Sequence, residues 1–150
     1  MTAAHVRPVR PGDLEAWVRM RTALWPEEPL DHPKEAARYF AGTLKEPLEV
    51  LIAVDGAGRP LGFAEVNIRA YAEDCVTDRV GYLEGWYVEP HARRRGIGAA
   101  LVAAAEDWAR RQGCTEFASD ALLDNDVSAA AHLALGFEET VRIRCFKKQL

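Results

Sequence analysis

Three consecutive arginines, Arg93, Arg94 and Arg95, stand directly before Gly96-Ile97-Gly98, and an alanine-rich run beginning at Ala99 follows. That order suits an anion. The first backbone N–H groups of a helix have no partner within the helix, and the helix dipole adds partial positive charge at the same end. Glycine removes the side chain that would hold a phosphate away from the backbone. The stretch has neither the GxGxxG of a dinucleotide fold nor the Gly-Lys-Ser/Thr of a P-loop. It therefore points to pyrophosphate held by some other scheme. The same residues also fit a solvated arginine patch beside a capped helix.

A second group carries the opposite charge. Glu84 interrupts a strand-like run of large apolar residues, "YLEGWYV", where a carboxylate is not buried without a partner. Asp120 closes the strand-like "TEFASD", at an edge where α/β sheets bind ligands. Asp124 and Asp126 add negative charge nearby, though each aspartate also suits a turn or a helix cap. Paired carboxylates can hold an ammonium group or accept its proton. Cys75, Cys114 and Cys145 are odd in number and widely spaced, without a CxxC or Cys/His metal pattern. They read as reduced thiols, mainly buried filler, in a cytoplasmic protein. No metal is implied.

The elements that must position these residues follow from periodicity and turn chemistry. "HVRPVR" (5–10) alternates as a first strand. A helix begins near Asp13, with Leu14, Trp17, Val18 and Leu24 on one face. A second helix is expected over 30–46, with Asp31 as a candidate cap and Pro33 in its first turn. "EVLIAV" (49–54) and "LGFAEVNIRAY" (61–71) flank the turn "DGAGRP" as a hairpin. A further strand covers 82–90. Ile97, Leu101, Ala104 and Trp108 recur at helical spacing, so 98–112 forms a long amphipathic helix ended by Gly113. A strand over 115–120, a short helix over 127–135 stopped by Gly136, and a last strand or hairpin over 137–148 complete the chain. The order β-α-α-β-β-β-α-β-α-β defines an α/β fold with a mixed sheet.

The 150 residues predict one domain spanning 1–150. A net charge of −4 argues against a general nucleic-acid binder and permits a cationic substrate. No stretch reads as a signal peptide or a membrane span.

Arg93-x-x-Gly96-x-Gly98, preceded by a strand ending in Val88-Glu89-Pro90 and followed by a long helix, resembles the signature of the GCN5-related N-acetyltransferase (GNAT) family. "LALGF" (133–137) is similar to the family's C-terminal "LGF". The element order agrees along almost the whole chain. The resemblance implies a GNAT fold with a mixed central sheet, about four helices, and strands 4 and 5 splayed apart. It implies acetyl-CoA as donor, with its pyrophosphate on the backbone of Arg94, Arg95, Gly96, Ile97, Gly98 and Ala99. Arg93 would lie beside it, and the pantetheine would pair with Trp86, Tyr87 and Val88. Many relatives carry Tyr four residues before the glycine of "LGF", where it can protonate the leaving thiolate. Here that position is His132, which either does the same work or packs near the cofactor tail.

Five stretches, "LWPEE", "FAEVNIRAY", "YLEGWYV", "ASDALLDN" and "HLALGFEET", resemble the short aminoglycoside 6′-N-acetyltransferase branch. By that resemblance Trp25 and Tyr71 line a sugar pocket, Glu84 and Asp120 hold the reacting amine, and Asn125 contacts the cofactor. Glu28 and Glu139 join the acceptor side. Two departures bear on the acceptor. Val141 follows "EET" where relatives often carry an acid, and Glu28 stands where some have His. The mechanism expected is direct transfer, with Glu84 or Asp120 taking the amine proton and a backbone N–H near Val88 meeting the oxyanion. Three readings stay open: an aminoglycoside enzyme conferring antibiotic resistance, an acetyltransferase for another polyamine or a peptide N-terminus, and a non-catalytic acyl-CoA sensor. The C-terminal "VRIRCFKKQL" (141–150) is expected to pair across a two-fold axis in a homodimer, as in relatives.

Overall fold

The computed structural model describes residues 4–150. In chain order these form β1 (His5–Pro8), α1 (Leu14–Leu24), α2 (Asp31–Ala41), β2 (Glu49–Val54), β3 (Pro60–Arg69), β4 (Val80–Val88), α3 (Ile97–Arg111), β5 (Glu116–Ser119) and α4 (Asp126–Ala134). The strands lie in sequence order in one sheet, β1-β2-β3-β4-β5. The first four are antiparallel, and β5 runs parallel to β4 because α3 crosses over between them.

The sheet is buried on both faces, which explains why "EVLIAV" is continuously apolar rather than alternating. Val50, Ile52 and Val54 pack with Phe63 against Trp17 and Met20 of α1 and Ala36 of α2. Leu51 and Ala53 point the other way, joining Ala64, Val66 and Leu83 against Ile97, Leu101, Val102, Ala105 and Trp108 of α3. A slip of one residue in β2 would exchange the two sets.

Three sequence expectations change. The second helix ends at Ala41, because Gly42 takes φ 74° and its N–H closes on the carbonyls of Arg38 and Tyr39. The last strand, expected over 137–148, is not formed. Residues 138–150 carry no strand or helix and lie exposed, with Val141, Ile143, Phe146 and Leu150 open to solvent. Their alternation has no neighbouring strand to pair with among the described residues. Of the cysteines, only Cys114 is buried, Cys75 is partly covered and Cys145 is exposed.

Two irregularities shape the cleft. The β4–β5 ladder runs over four residue pairs and stops at Leu83–Ser119, while β4 continues to Val88. Beyond Leu83, β4 has no strand neighbour on that side among the described residues, so the two strands part there. On its other side β4 pairs Gly85 with Glu65 and Leu83 with Val66. Glu84 is the extra residue between them, a β-bulge that re-aims its side chain.

Candidate active site

The turn after β4 and the start of α3 build the anion cradle. Gly96 sits at φ 79°, a left-handed position that favours glycine, and a β-carbon there would meet nothing within 4 Å. Arg94 is also left-handed, at φ 61°. The carbonyl of Gly96 accepts the first helical bond, from Ala100 at 3.0 Å. The N–H groups of Ile97, Gly98 and Ala99 belong to the unpaired first turn. Arg94 and Arg95 are exposed beside them. Arg93 turns back, its Nε donating to the Val88 carbonyl at 2.9 Å and its guanidinium 5.8 Å from the Tyr87 ring.

Gly98 also packs against an indole. A β-carbon at Gly98 would lie 3.1 Å from Trp86 Cζ2, and Trp86 Nε1 donates to the Gly98 carbonyl at 3.2 Å. The missing side chain leaves room for that ring. Ile97 likewise sends its side chain into the core. Its backbone, not its side chain, faces the cradle.

Where β4 and β5 part, Ser119 and His132 meet. His132 Nε2 lies 2.8 Å from Ser119 Oγ, and Nδ1 lies 2.7 Å from the Ser128 carbonyl. A carbonyl only accepts, so Nδ1 carries a proton and Nε2 is free to exchange one with Ser119. Ser119 Oγ also reaches the Leu83 carbonyl at 3.2 Å. Trp86 and Phe137 enclose the imidazole edge-to-face, each with ring centroids 5.1 Å from it. Asn125 caps α4, its Oδ1 accepting from Ser128 N at 3.0 Å.

The two carboxylates singled out in the sequence are brought into one chain of contacts by residues that were not. Arg69 Nε and Nη2 each donate to a Glu84 oxygen at 2.8 Å. The same guanidinium lies 3.6 Å from the centre of the Tyr82 ring. Tyr82 donates its hydroxyl to Asp120 Oδ2 at 2.7 Å. Burial, the Asp120 hydrogen bond and the Asp120 charge all push the Tyr82 hydroxyl pKa far up, so the phenol stays protonated and remains a donor. The Arg69 pKa is raised by the Glu84 hydrogen bond above all, with Glu84, Tyr82 and Asp120 charges adding.

Trp25, half-buried just past α1, reaches this cluster through Gly85. A β-carbon at Gly85 would lie 2.6 Å from Trp25 Cη2. Tyr71 is exposed at the end of β3. Glu28 is exposed, and Glu139 is exposed and paired with Arg142 at 2.7 Å. Neither touches the Arg69–Glu84–Tyr82–Asp120 chain. A surface pocket of about 400 Å³, lined by Tyr39, Phe40, Leu44 and Pro47 among others, shares no residue with that chain. Among the described residues no cluster of His, Cys, Asp and Glu could hold a metal, and no helix is long and apolar enough to cross a membrane.

A left-handed turn at a helix N-terminus follows β4, and a chain of paired carboxylates stands where β4 and β5 part. The chain belongs to the acetyltransferase (GNAT) family, whose profile matches residues 17–137. It is 53% identical over 146 residues to the aminoglycoside N(6′)-acetyltransferase type 1 of Klebsiella aerogenes, covering 97% of this chain and 96% of that one. It is 38% identical to the protein of the same description from Stenotrophomonas maltophilia, covering 99% and 95%. Its fold superimposes with a TM-score of 0.90 on aminoglycoside N-acetyltransferase AAC(6′)-Iy bound to CoA and to the bisubstrate analogue CoA-S-monomethyl-acetylneamine. Both complexes are 35% identical, covering 100% and 99% of this chain and 97% and 100% of those. With AAC(6′)-Ih from Acinetobacter baumannii the TM-score is 0.88 at 36% identity, covering 99% of each chain.

Proposed function

We propose that this protein is an acetyl-CoA-dependent N-acetyltransferase acting on the 6′-amine of aminoglycosides, by direct transfer and to the effect of antibiotic resistance, as one catalytic domain over 1–150. The observation that carries the reading is a site with two ends along β4. At one end a left-handed turn at Gly96 opens α3 just after the strand, and at the other the Glu84–Arg69–Tyr82–Asp120 chain is built on the strand itself. Relatives named for this activity cover nearly the whole chain. A sensor would need the first end only.

The left-handed turn, the α3 N-terminus and Arg94 and Arg95 receive the pyrophosphate of acetyl-CoA. The unpaired stretch of β4 from Trp86 to Val88 pairs with the pantetheine, and Asn125 and His132 stand on α4 beside it. When bound, acetyl-CoA supplies the thioester that the amine attacks. Trp25, Tyr71, Glu28 and Glu139 line or rim the acceptor side. Asp120 takes the amine proton. Tyr82 holds Oδ2, and Oδ1 has no hydrogen bond among the described residues, so it is the free acceptor. Both Glu84 oxygens are engaged by Arg69, which makes Glu84 a fixed anionic anchor rather than the base. Backbone N–H groups of β4 near Val88 face the developing oxyanion. The C–S bond breaks with its electrons on the sulfur, which departs as the CoA thiolate beside Ser119 and His132.

The exposed 141–150 segment pairs with its counterpart across a two-fold axis in a cytoplasmic homodimer. Thiol release from acetyl-CoA is the test. Turnover is expected with 6′-amino aminoglycosides and not with a 6′-hydroxyl counterpart. Equal rates on both would refute the regiochemistry. A monomer mass by light scattering would refute the dimer.

A further inference from the structure

A buried arginine needs a reason. The side chain of Arg21 on α1 is 8% exposed and that of Glu65 on β3 is 3% exposed. Taking such a pair out of water costs several kcal/mol per ion, by the usual order of magnitude, and an apolar pair of similar volume is often as stable. Core stability therefore does not explain it.

The surroundings do. Arg21 Nη1 donates to Glu35 of α2 at 2.7 Å, and Nε lies 2.9 Å from Glu65 Oε2. The second contact is an ion pair without hydrogen-bond geometry, since Nε has no directional acceptor. Trp17 Nε1 donates to the same Glu65 oxygen at 3.0 Å. The guanidinium centre is thus fixed 5.7 Å from the Trp17 ring and 5.2 Å from the Trp25 ring. Glu65 and Trp17 hold Arg21 from the core side, and Trp25 takes the other side.

Trp25 is fixed at every other point as well. Its N–H donates to the Arg21 carbonyl at 2.8 Å. Its carbonyl accepts from His32 Nε2 at 2.8 Å, which sets the tautomer of that buried ring and leaves Nδ1 without a partner. The His32 ring stacks on the indole at 29°. The far edge of the indole fills the space left by the missing side chain of Gly85, next to Glu84.

We infer that Arg21 is a positioning residue of the acceptor pocket, holding the Trp25 indole at the fixed angle against which an amino sugar packs. The inference rests on the reading above that Trp25 lines that pocket. Arg21 touches no substrate itself. It sets the orientation of a ring that does, so its loss weakens acceptor binding and leaves the donor side alone.

The test is a double-mutant cycle on steady-state kinetics with a 6′-amino aminoglycoside. Trp25→Ala raises the acceptor KM about tenfold or more, and Arg21→Met raises it about five- to tenfold, in the range of a desolvated cation–π contact. The double variant is no worse than Trp25→Ala alone, because both remove the same wall. The acetyl-CoA KM stays within about twofold throughout, and Arg21→Lys recovers part of the loss. Multiplying effects in the double variant, or an unchanged acceptor KM in Arg21→Met when Trp25→Ala has raised it, overturns the positioning role. An unchanged acceptor KM in Trp25→Ala overturns it together with the pocket reading on which it rests. Should Arg21→Met not fold, Glu35→Gln loosens the same guanidinium from the rim and is expected to raise the acceptor KM about two- to threefold. No rise there, with Trp25→Ala raised, overturns the role equally.

Discussion

In the proposed reading, the donor side acts through backbone and the acceptor side through side chains. Gly96 holds a left-handed turn, α3 presents its first N–H groups, and β4 runs on unpaired past Leu83. The side chains there are secondary. Arg93 is folded back on Val88, and Gly98 makes room for Trp86. On the acceptor side the chemistry is done by side chains, and each is held by another. Arg69 grips Glu84, Tyr82 grips Asp120, and Arg21 props Trp25. A thioester donor is the same in every turnover, so a rigid main-chain cradle suffices. A flexible polycation must be oriented by charges, and charges in a half-buried pocket need internal partners before a substrate arrives.

Charge removal on the acceptor side gives the largest effects and separates the two carboxylates. Asp120→Asn is expected to lower kcat by about 10²–10⁴-fold, the usual loss with a general base. The acetyl-CoA KM should move by less than about threefold. Glu84→Gln keeps its shape but loses the bidentate pair with Arg69. It should act mainly on the acceptor KM, by about 1.5–3 kcal/mol or one to two decades. A kcat loss in Glu84→Gln that matches or exceeds the one in Asp120→Asn would reassign the base and dissolve the distinction drawn between them.

Gly96→Asp tests the other side of the contrast. The left-handed φ and a carboxylate facing the pyrophosphate both count against it, while the open space around the site keeps the fold intact. The acetyl-CoA KM should rise by about tenfold or more, with the acceptor KM nearly unchanged. A rise of less than about threefold would move the cradle elsewhere.

The same contrast governs what was legible in the sequence. Backbone devices leave local marks. Gly96 before an amphipathic run announced the turn that opens α3, and the apolar period of 97–108 announced the helix itself. Glu84 was legible because a carboxylate in an apolar strand demands a partner. That argument applies equally to Glu65 in "GFAEVNI", whose partners are Arg21 and Trp17. Arg69, Tyr82 and Ser119 could not be placed, because their contacts lie 13 to 38 residues apart in the chain, from His132 on Ser119 to Tyr82 on Asp120. The absent last strand has a related cause. Alternation in "VRIRCF" states that a strand is possible, but a strand exists only where a neighbour offers a ladder, and none among the described residues does.

The smallest effect expected concerns stability, and it reads the electrostatic cost of the acceptor side directly. Burial pushes the Glu65 carboxyl from its ordinary 4.5 up to about 7, against the opposing pull of Arg21 and the Trp17 hydrogen bond. Between those two values the folded protein holds a proton that the unfolded chain has released. Stability therefore falls as pH rises through that window, is level above it, and carries no Glu65 contribution below it. Asp13, Asp55, Glu116 and Glu139 shift the other way, each lowered mainly by hydrogen bonds, so their contributions are complete by about pH 4.5 and do not tilt the window. Urea unfolding at pH 5 and pH 7.5 should thus show wild type losing stability relative to Glu65→Gln, by on the order of 2 kcal/mol across the interval. The glutamine variant keeps the volume and the Trp17 contact, so its own baseline stability does not enter the comparison. Parallel pH dependences in the two proteins would mean that Arg21 and Trp17 fully offset the desolvation of Glu65. The acceptor side would then hold its buried charge without electrostatic cost, as the backbone-built donor side does.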